Sequence, residues 1–134
     1  MRSIAYTAQC SIASPLGEIL LARTARGLAG LWFEGQKYHP GTLEVPIDPD
    51  DELLRSAREQ LGEHWLGRRT AFSIPLELHG TPFQRAVWSA LLEVPLGLTR
   101  SYREIAELVR APAAVRAVGA GVGRNPLSIV VPCP

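Results

Sequence analysis

The chain has 134 residues, enough for one ordinary domain or two small ones, and 46% of them are hydrophobic against 20% charged, so a core can form without disulfide staples. No segment reaches the roughly 18 uninterrupted apolar residues of a membrane helix, and the N-terminal "MRSIAYTAQCSIAS" lacks the apolar core of a secretory signal, so a cytoplasmic protein without membrane contact is expected. Net charge is only +1, but residues 1–80 hold eight Lys and Arg against ten Asp and Glu, whereas residues 81–134 hold six arginines against three glutamates; the basic surplus is compatible with a phosphate-bearing partner.

The first third reads as strands. Alternation in "SIAYTAQCSIA", the turn "SPLG", "EILLAR", the turn "TARG" and "LAGLWF" predict an antiparallel meander. "EGQKYHPGTLEVPIDPDD" is polar and rich in Pro and Gly, a loop leading to a helix start at Asp50 or Asp51. Leu53, Leu54, Ala57, Leu61 and Trp65 then recur at helical spacing up to Gly67 and can share a core with the sheet. "RRTAFSIPLELHG" reads as a short extended linker, with a domain boundary at Gly80: an N-terminal α/β domain over 1–79 and a second domain over 80–134.

Beyond Gly80 the pattern is helical. Thr81-Pro82-Phe83-Gln84 supplies a cap, a proline at the first helical position and a capping-box Gln before Val87, Trp88, Leu91 and Leu92, and that helix should stop at Val94-Pro95. Ser101-Tyr102-Arg103-Glu104 is a second capping box, opening a helix with Ile105, Ala106, Leu108 and Val109 on its apolar side. Pro112 is expected to open a third, "AAVRAVGAGVG", with Arg116 as its long side chain. Two short helices joined by about three residues, the second small-sided and basic, fit an all-α helix-turn-helix, winged-helix-like DNA-binding domain. Cys10 and Cys133 lie far apart in sequence and His39, His64 and His79 are scattered, so neither a disulfide framework nor a metal site is indicated.

Taken singly, the conspicuous residues leave plain alternatives open. Arg116 could be a solvated surface arginine, Tyr102 a core residue and Asn125-Pro126 an ordinary turn. Cys133 after "SIVV" could be a buried structural cysteine ending a strand. Trp32, Trp65 and Trp88 sit in apolar periodic stretches and read as core aromatics.

Taken together, "SPLGEILLARTARGLAGLWFEGQKYHP", "TPFQRAVWSALLEVPLGLTRSYREIAELV" and "AVRAVGAGVGRNPLSIVVPC" resemble the methylated-DNA–protein cysteine methyltransferases, the O6-alkylguanine-DNA alkyltransferases, in the right order over most of the chain. The resemblance implies a single-turnover repair protein that binds double-stranded DNA, flips out O6-alkylguanine and takes the alkyl group onto a cysteine, with no cofactor and as a monomer. By position, Cys133 matches the nucleophile and Arg116 the finger that fills the space left by the base. Ala117, Gly119, Ala120 and Gly121 match the small residues that let the helix approach the groove, Tyr102 the contact to the phosphate beside the flipped base, and Asn125-Pro126 the hinge leading to the cysteine strand.

The match departs from the family after Cys133. The family continues with His-Arg and a later glutamate that completes a relay; here position 134 is Pro, and the expectation is a C-terminally truncated member whose transfer step lacks its relay. A free thiol has a pKa of about 8.5 and needs a base or a positive neighbour to ionise, and the Pro134 carboxylate would oppose ionisation. The alternatives are a protein that binds alkylguanine without repairing it, and a helix-turn-helix regulator with a preference for symmetrical operators.

Overall fold

Two tight turns fold residues 8–33 back on themselves. β1 (Ala8–Ser14), β2 (Gly17–Arg23) and β3 (Leu28–Phe33) form an antiparallel sheet in the order β1-β2-β3. Ser14 pairs with Gly17 across Pro15-Leu16, and the Ser14 hydroxyl donates to the Gly17 carbonyl at 2.6 Å. The register aligns Cys10 with Leu21 and Leu21 with Leu31. Because side chains alternate across a strand, all three lie on one face, and all three are buried. α1 (Glu52–Trp65) packs against β1 and β2 and fills that core with Leu54, Ala57 and Leu61. It starts where expected: Asp51 is the N-cap and accepts from the Leu54 N–H at 3.0 Å. The structure is a computed structural model that describes residues 4–94 and 99–132.

Two stretches with the composition of connections prove to be fastened. Gln9 of β1 holds the proline-rich loop: its side-chain amide donates to the Leu43 and Val45 carbonyls at 2.7 and 2.9 Å. Its backbone N–H donates to Pro46 O at 3.0 Å, and its carbonyl accepts from the Asp48 N–H at 2.8 Å. The expected linker at 68–80 is extended, but it is bridged to the start of β3. Leu28 N–H donates to Pro75 O at 2.8 Å and Glu77 N–H donates to Leu28 O at 2.9 Å. A Cβ at Gly27 would stand 2.5 Å from the Pro75 carbonyl oxygen, so this approach requires glycine. Gln60, buried on α1 although the apolar periodicity skips it, accepts from the Ser73 N–H at 2.9 Å and donates to the Ser73 hydroxyl at 3.2 Å. The Thr24 hydroxyl also bonds the Glu77 carboxylate. A linker carries little buried backbone; this one satisfies its donors and acceptors against the sheet and α1.

The chain forms two compact units, Met1–Leu78 and His79–Pro134. The second consists of α2 (Pro82–Leu92), α3 (Tyr102–Leu108) and α4 (Val115–Gly123), which pack against one another. Both capping boxes are formed, with Thr81 and Gln84 bonded reciprocally at 3.0 and 3.1 Å and Ser101 and Glu104 likewise at 3.0 and 3.1 Å. The core is Val87, Trp88 and Leu91 from α2, Ile105 and Ala106 from α3, Val118 from α4, then Leu127, Val130 and Val131. Leu108, expected on the apolar side of α3, is 60% exposed. α3 is too short to bury two successive turns of that side.

α3 ends in a left-handed residue, Arg110 at φ 60, with the Arg110 N–H on Glu107 O at 3.0 Å and the Ala111 N–H on Ala106 O at 2.8 Å. That pair of bonds is the Schellman arrangement, with arginine where glycine is usual. Pro112 does not open α4. The Ala114 N–H bonds Ala111 O at 2.9 Å, so Pro112 occupies the second position of a turn, where its fixed φ suits it. Helical bonding begins with the Val118 N–H on Ala114 O at 3.0 Å. Six residues, 109–114, therefore join α3 to α4 in place of the three expected.

Candidate nucleic-acid interface and reactive loop

α4 is two-sided. Val118 and Gly121 face the core, while Arg116, Ala117 and Ala120 are exposed and Gly119 is half-buried. Positions 116, 120 and 124 are spaced at four residues and share a face, so Arg116 and Arg124, both exposed, flank the small Ala120. A long cation beside small side chains lets a helix backbone come close to a polyanion while its charge reaches phosphates. Arg103 and Arg110 are exposed on or just after α3.

Tyr102 opens α3 and is 44% exposed. Its backbone is set by the Ser101–Glu104 box, and Glu104 is held below the usual carboxylate range by the Ser101 backbone N–H first and by the Ser101 hydroxyl second. The Tyr102 ring lies over Gly119: a Cβ built there would meet Cε2 at 3.1 Å and Cδ2 at 3.3 Å. The residues expected as phosphate contact and as small helix position are thus neighbours in space.

α4 is fixed to α2 by a bond that local sequence does not announce. The Trp88 indole N–H donates to Gly121 O at 2.9 Å, in the interior. Near its end α4 tightens: Asn125 N–H bonds Val122 O at 3.2 Å, not Gly121 O four residues back, and Arg124 N–H bonds Ala120 O and Gly121 O at 3.2 Å each. The Gly121 carbonyl lacks its i+4 donor, and the indole supplies one. Trp88 is the core aromatic its periodicity predicts, at 1% exposure. The signal for its second role is the general need of a buried Trp N–H for an acceptor.

Asn125 secures the segment leading to Cys133. Its Oδ1 accepts from the Leu127 N–H at 2.9 Å and its Nδ2 donates to Val131 O at 2.8 Å. Residues 127–131 are a turn, not the expected strand. Val131 N–H bonds Leu127 O at 2.9 Å, Val130 N–H bonds Ser128 O at 2.9 Å, and Ile129 adopts φ 74. A β-branched residue in the left-handed region costs of order 1–3 kcal/mol and persists only when its surroundings impose it; here the Asn125 bonds and buried Leu127, Val130 and Val131 do so. Cys133 itself lies outside the described residues. Cys10 is buried on β1, and desolvation first of all pushes its thiol up, against a smaller lowering by Arg58.

Among the described residues no group of three or more His, Cys, Asp or Glu could hold a metal ion, and no helix is long and apolar enough to cross a membrane. An open cleft of about 460 Å³ lies in the first unit, bordered by Gln9, Glu18, Glu34 and His39 among others, and includes none of the candidate residues.

The helical unit is a DNA-binding domain. Residues 82–133 match "6-O-methylguanine DNA methyltransferase, DNA binding domain", and residues 8–78 match "6-O-methylguanine DNA methyltransferase, ribonuclease-like domain". The methylated-DNA–protein-cysteine methyltransferase of Mycobacterium leprae is 46% identical over 123 residues, which are 92% of this chain and 73% of that protein. The one of Methanosarcina barkeri is 42% identical over 125 residues, 91% of this chain and 77% of the relative. The crystal structure of Mycobacterium tuberculosis OGT in complex with DNA superposes with a TM-score of 0.87 at 42% identity, covering 95% of this chain and 76% of that one. The chain belongs to the 6-O-methylguanine DNA methyltransferase family.

Proposed function

We propose that this protein repairs DNA by taking a methyl or larger alkyl group from O6 of guanine in a duplex onto its own Cys133, once and irreversibly. It does so as a cytoplasmic monomer without cofactor, using an N-terminal domain over 1–79 and a DNA-binding, active-site domain over 80–134. The observation that carries the reading is α4: one helix presents Arg116 beside Ala117 and Ala120, touches Tyr102 through Gly119, and runs directly into the Asn125-locked turn before Cys133.

The chemistry is a displacement at carbon. The Cys133 thiolate attacks the alkyl carbon, an S–C bond forms as the C–O6 bond breaks, and the guanine leaves with the electron pair and gains a proton. A stacked base cannot be reached this way, so the nucleotide must be extruded. Arg116 would fill the gap, Tyr102 would hold the adjacent phosphate, and the exposed Ala117 and Ala120 would admit the backbone. Asn125, whose amide is engaged on both sides by the turn, would act by positioning the sulfur, not by contacting DNA.

The test is a duplex carrying O6-[methyl-³H]guanine incubated with equimolar protein. Label should appear on Cys133, be absent from Cys133→Ala, and saturate at one per chain. A second reading, lesion binding without transfer, is favoured by Pro134, which offers no proton acceptor beside the thiol where the resemblance calls for histidine. In that case no label transfers, yet the alkylated duplex is still bound more tightly than the plain one. Arg116→Ala should reduce that preference more than it reduces plain-duplex binding; equal losses would remove the finger role.

A further inference from the structure

We infer that Gly119 is a glycine in order to seat the Tyr102 ring, and so acts as a positioning residue for the tyrosine, not as a point of close approach to the groove. The inference rests on the proposed role of Tyr102 at DNA. Glycine inside a helix is unfavourable relative to alanine, so each of the three in α4, Gly119, Gly121 and Gly123, calls for a reason. A Cβ at Gly123 would meet nothing within 4 Å, and one at Gly121 would make only ordinary contact with Val87, at 3.8 Å and beyond. Gly119 alone is crowded: its absent Cβ would lie 3.1 Å from Tyr102 Cε2 and 3.3 Å from Cδ2, tighter than such contacts normally are.

The crowding comes from an exposed aromatic side chain whose backbone cannot follow. Tyr102 is the first residue of α3, and the reciprocal Ser101–Glu104 bonds at 3.0 and 3.1 Å fix that helix start. The backbone is set there, and the ring lies against the bare Gly119 surface. A methyl group at 119 requires the ring to give by a few tenths of an ångström. Gly119 is half-buried while Ala117 and Ala120 beside it are exposed, in keeping with the ring lying against position 119.

The chain has three tyrosines, Tyr6, Tyr38 and Tyr102, so 3-fluorotyrosine labelling gives three ¹⁹F resonances, with that of Tyr102 assigned by its loss in Tyr102→Phe. In Gly119→Ala the Tyr102 resonance should shift while those of Tyr6 and Tyr38 stay, and Tm should not fall, because alanine favours the helix. Affinity for the O6-methylguanine duplex should drop about tenfold, and in a Tyr102→Ala background the same substitution should cost nothing further. Gly123→Ala, the matched change without a clash, should move neither the resonance nor the affinity. An unmoved Tyr102 resonance overturns the inference, and so does a binding loss that persists in the Tyr102→Ala background, which would return Gly119 to the groove. If the wild-type protein shows no preference for the lesion, the function proposed above falls, and the fluorine signal still decides the seat.

Discussion

Trp88 and Trp65 make opposite uses of the same side chain. Trp88 is buried and its N–H is bonded to Gly121 O at 2.9 Å, whereas the Trp65 N–H is buried with no acceptor. Replacing Trp88 by Phe leaves a void and removes the indole donor from a buried carbonyl, a cost of about 2–4 kcal/mol. Trp65→Phe also removes an unsatisfied donor and should cost at most about 1 kcal/mol. Urea unfolding of the two variants checks the order, and equal losses would deny the indole bond its weight. At this scale the sequence is legible where neighbours in the chain decide the outcome. Arg116 and Ala117 are exposed and Cys10 is buried, in keeping with their local patterns. The Trp88 bond spans 33 positions, and the turn that holds Ile129 at φ 74 depends on Asn125 and three buried side chains together. No window of sequence contains that information.

Helix ends carry the next level. Asp51 caps α1 and pairs with Arg23 at 3.0 Å. Burial raises its pKa, but the Leu54 N–H and the bond and charge of Arg23 outweigh this and hold the carboxyl below its ordinary 3.8. The folded state therefore binds this proton less readily than the unfolded chain. The stabilisation is complete above about 3.8 and disappears as pH falls through the lower folded value. Asp51→Ala should cost about 1–2 kcal/mol near neutrality and flatten the acid limb of a stability-against-pH curve; an unchanged limb would exclude the cap as its source. At the end of α3, Arg110 occupies the left-handed position at φ 60. Arg110→Gly should stabilise the fold by about 0.5–1 kcal/mol, read as a rise in Tm. A fall would mean that the arginine side chain contributes more than its backbone costs. Capping boxes are local code, and those of α2 and α3 are legible residue by residue. The start of α4 is not, because a proline fits the first turn of a helix and the second position of a β-turn equally well, and only the Ala114–Ala111 bond decides between them.

Over the whole chain the basic surplus sits in residues 81–134, and exposed Arg103, Arg110, Arg116 and Arg124 belong to that unit. If they neutralise about four phosphates, duplex affinity should fall roughly 100-fold between about 50 and 200 mM salt. Fluorescence anisotropy across that range gives the slope, and a flat line would separate these arginines from DNA. The order of strands and helices can be read from periodicity and turn residues, since those patterns recur over many positions. The fastening of the loops cannot, because it depends on single polar groups such as those of Gln9. One amide and one peptide group restrain residues 43–48 against the sheet edge. A stretch with the composition of a flexible tether is thereby held by four bonds to one residue far upstream, two of them from the glutamine side chain itself, and limited proteolysis should cut it faster in Gln9→Ala than in the parent chain.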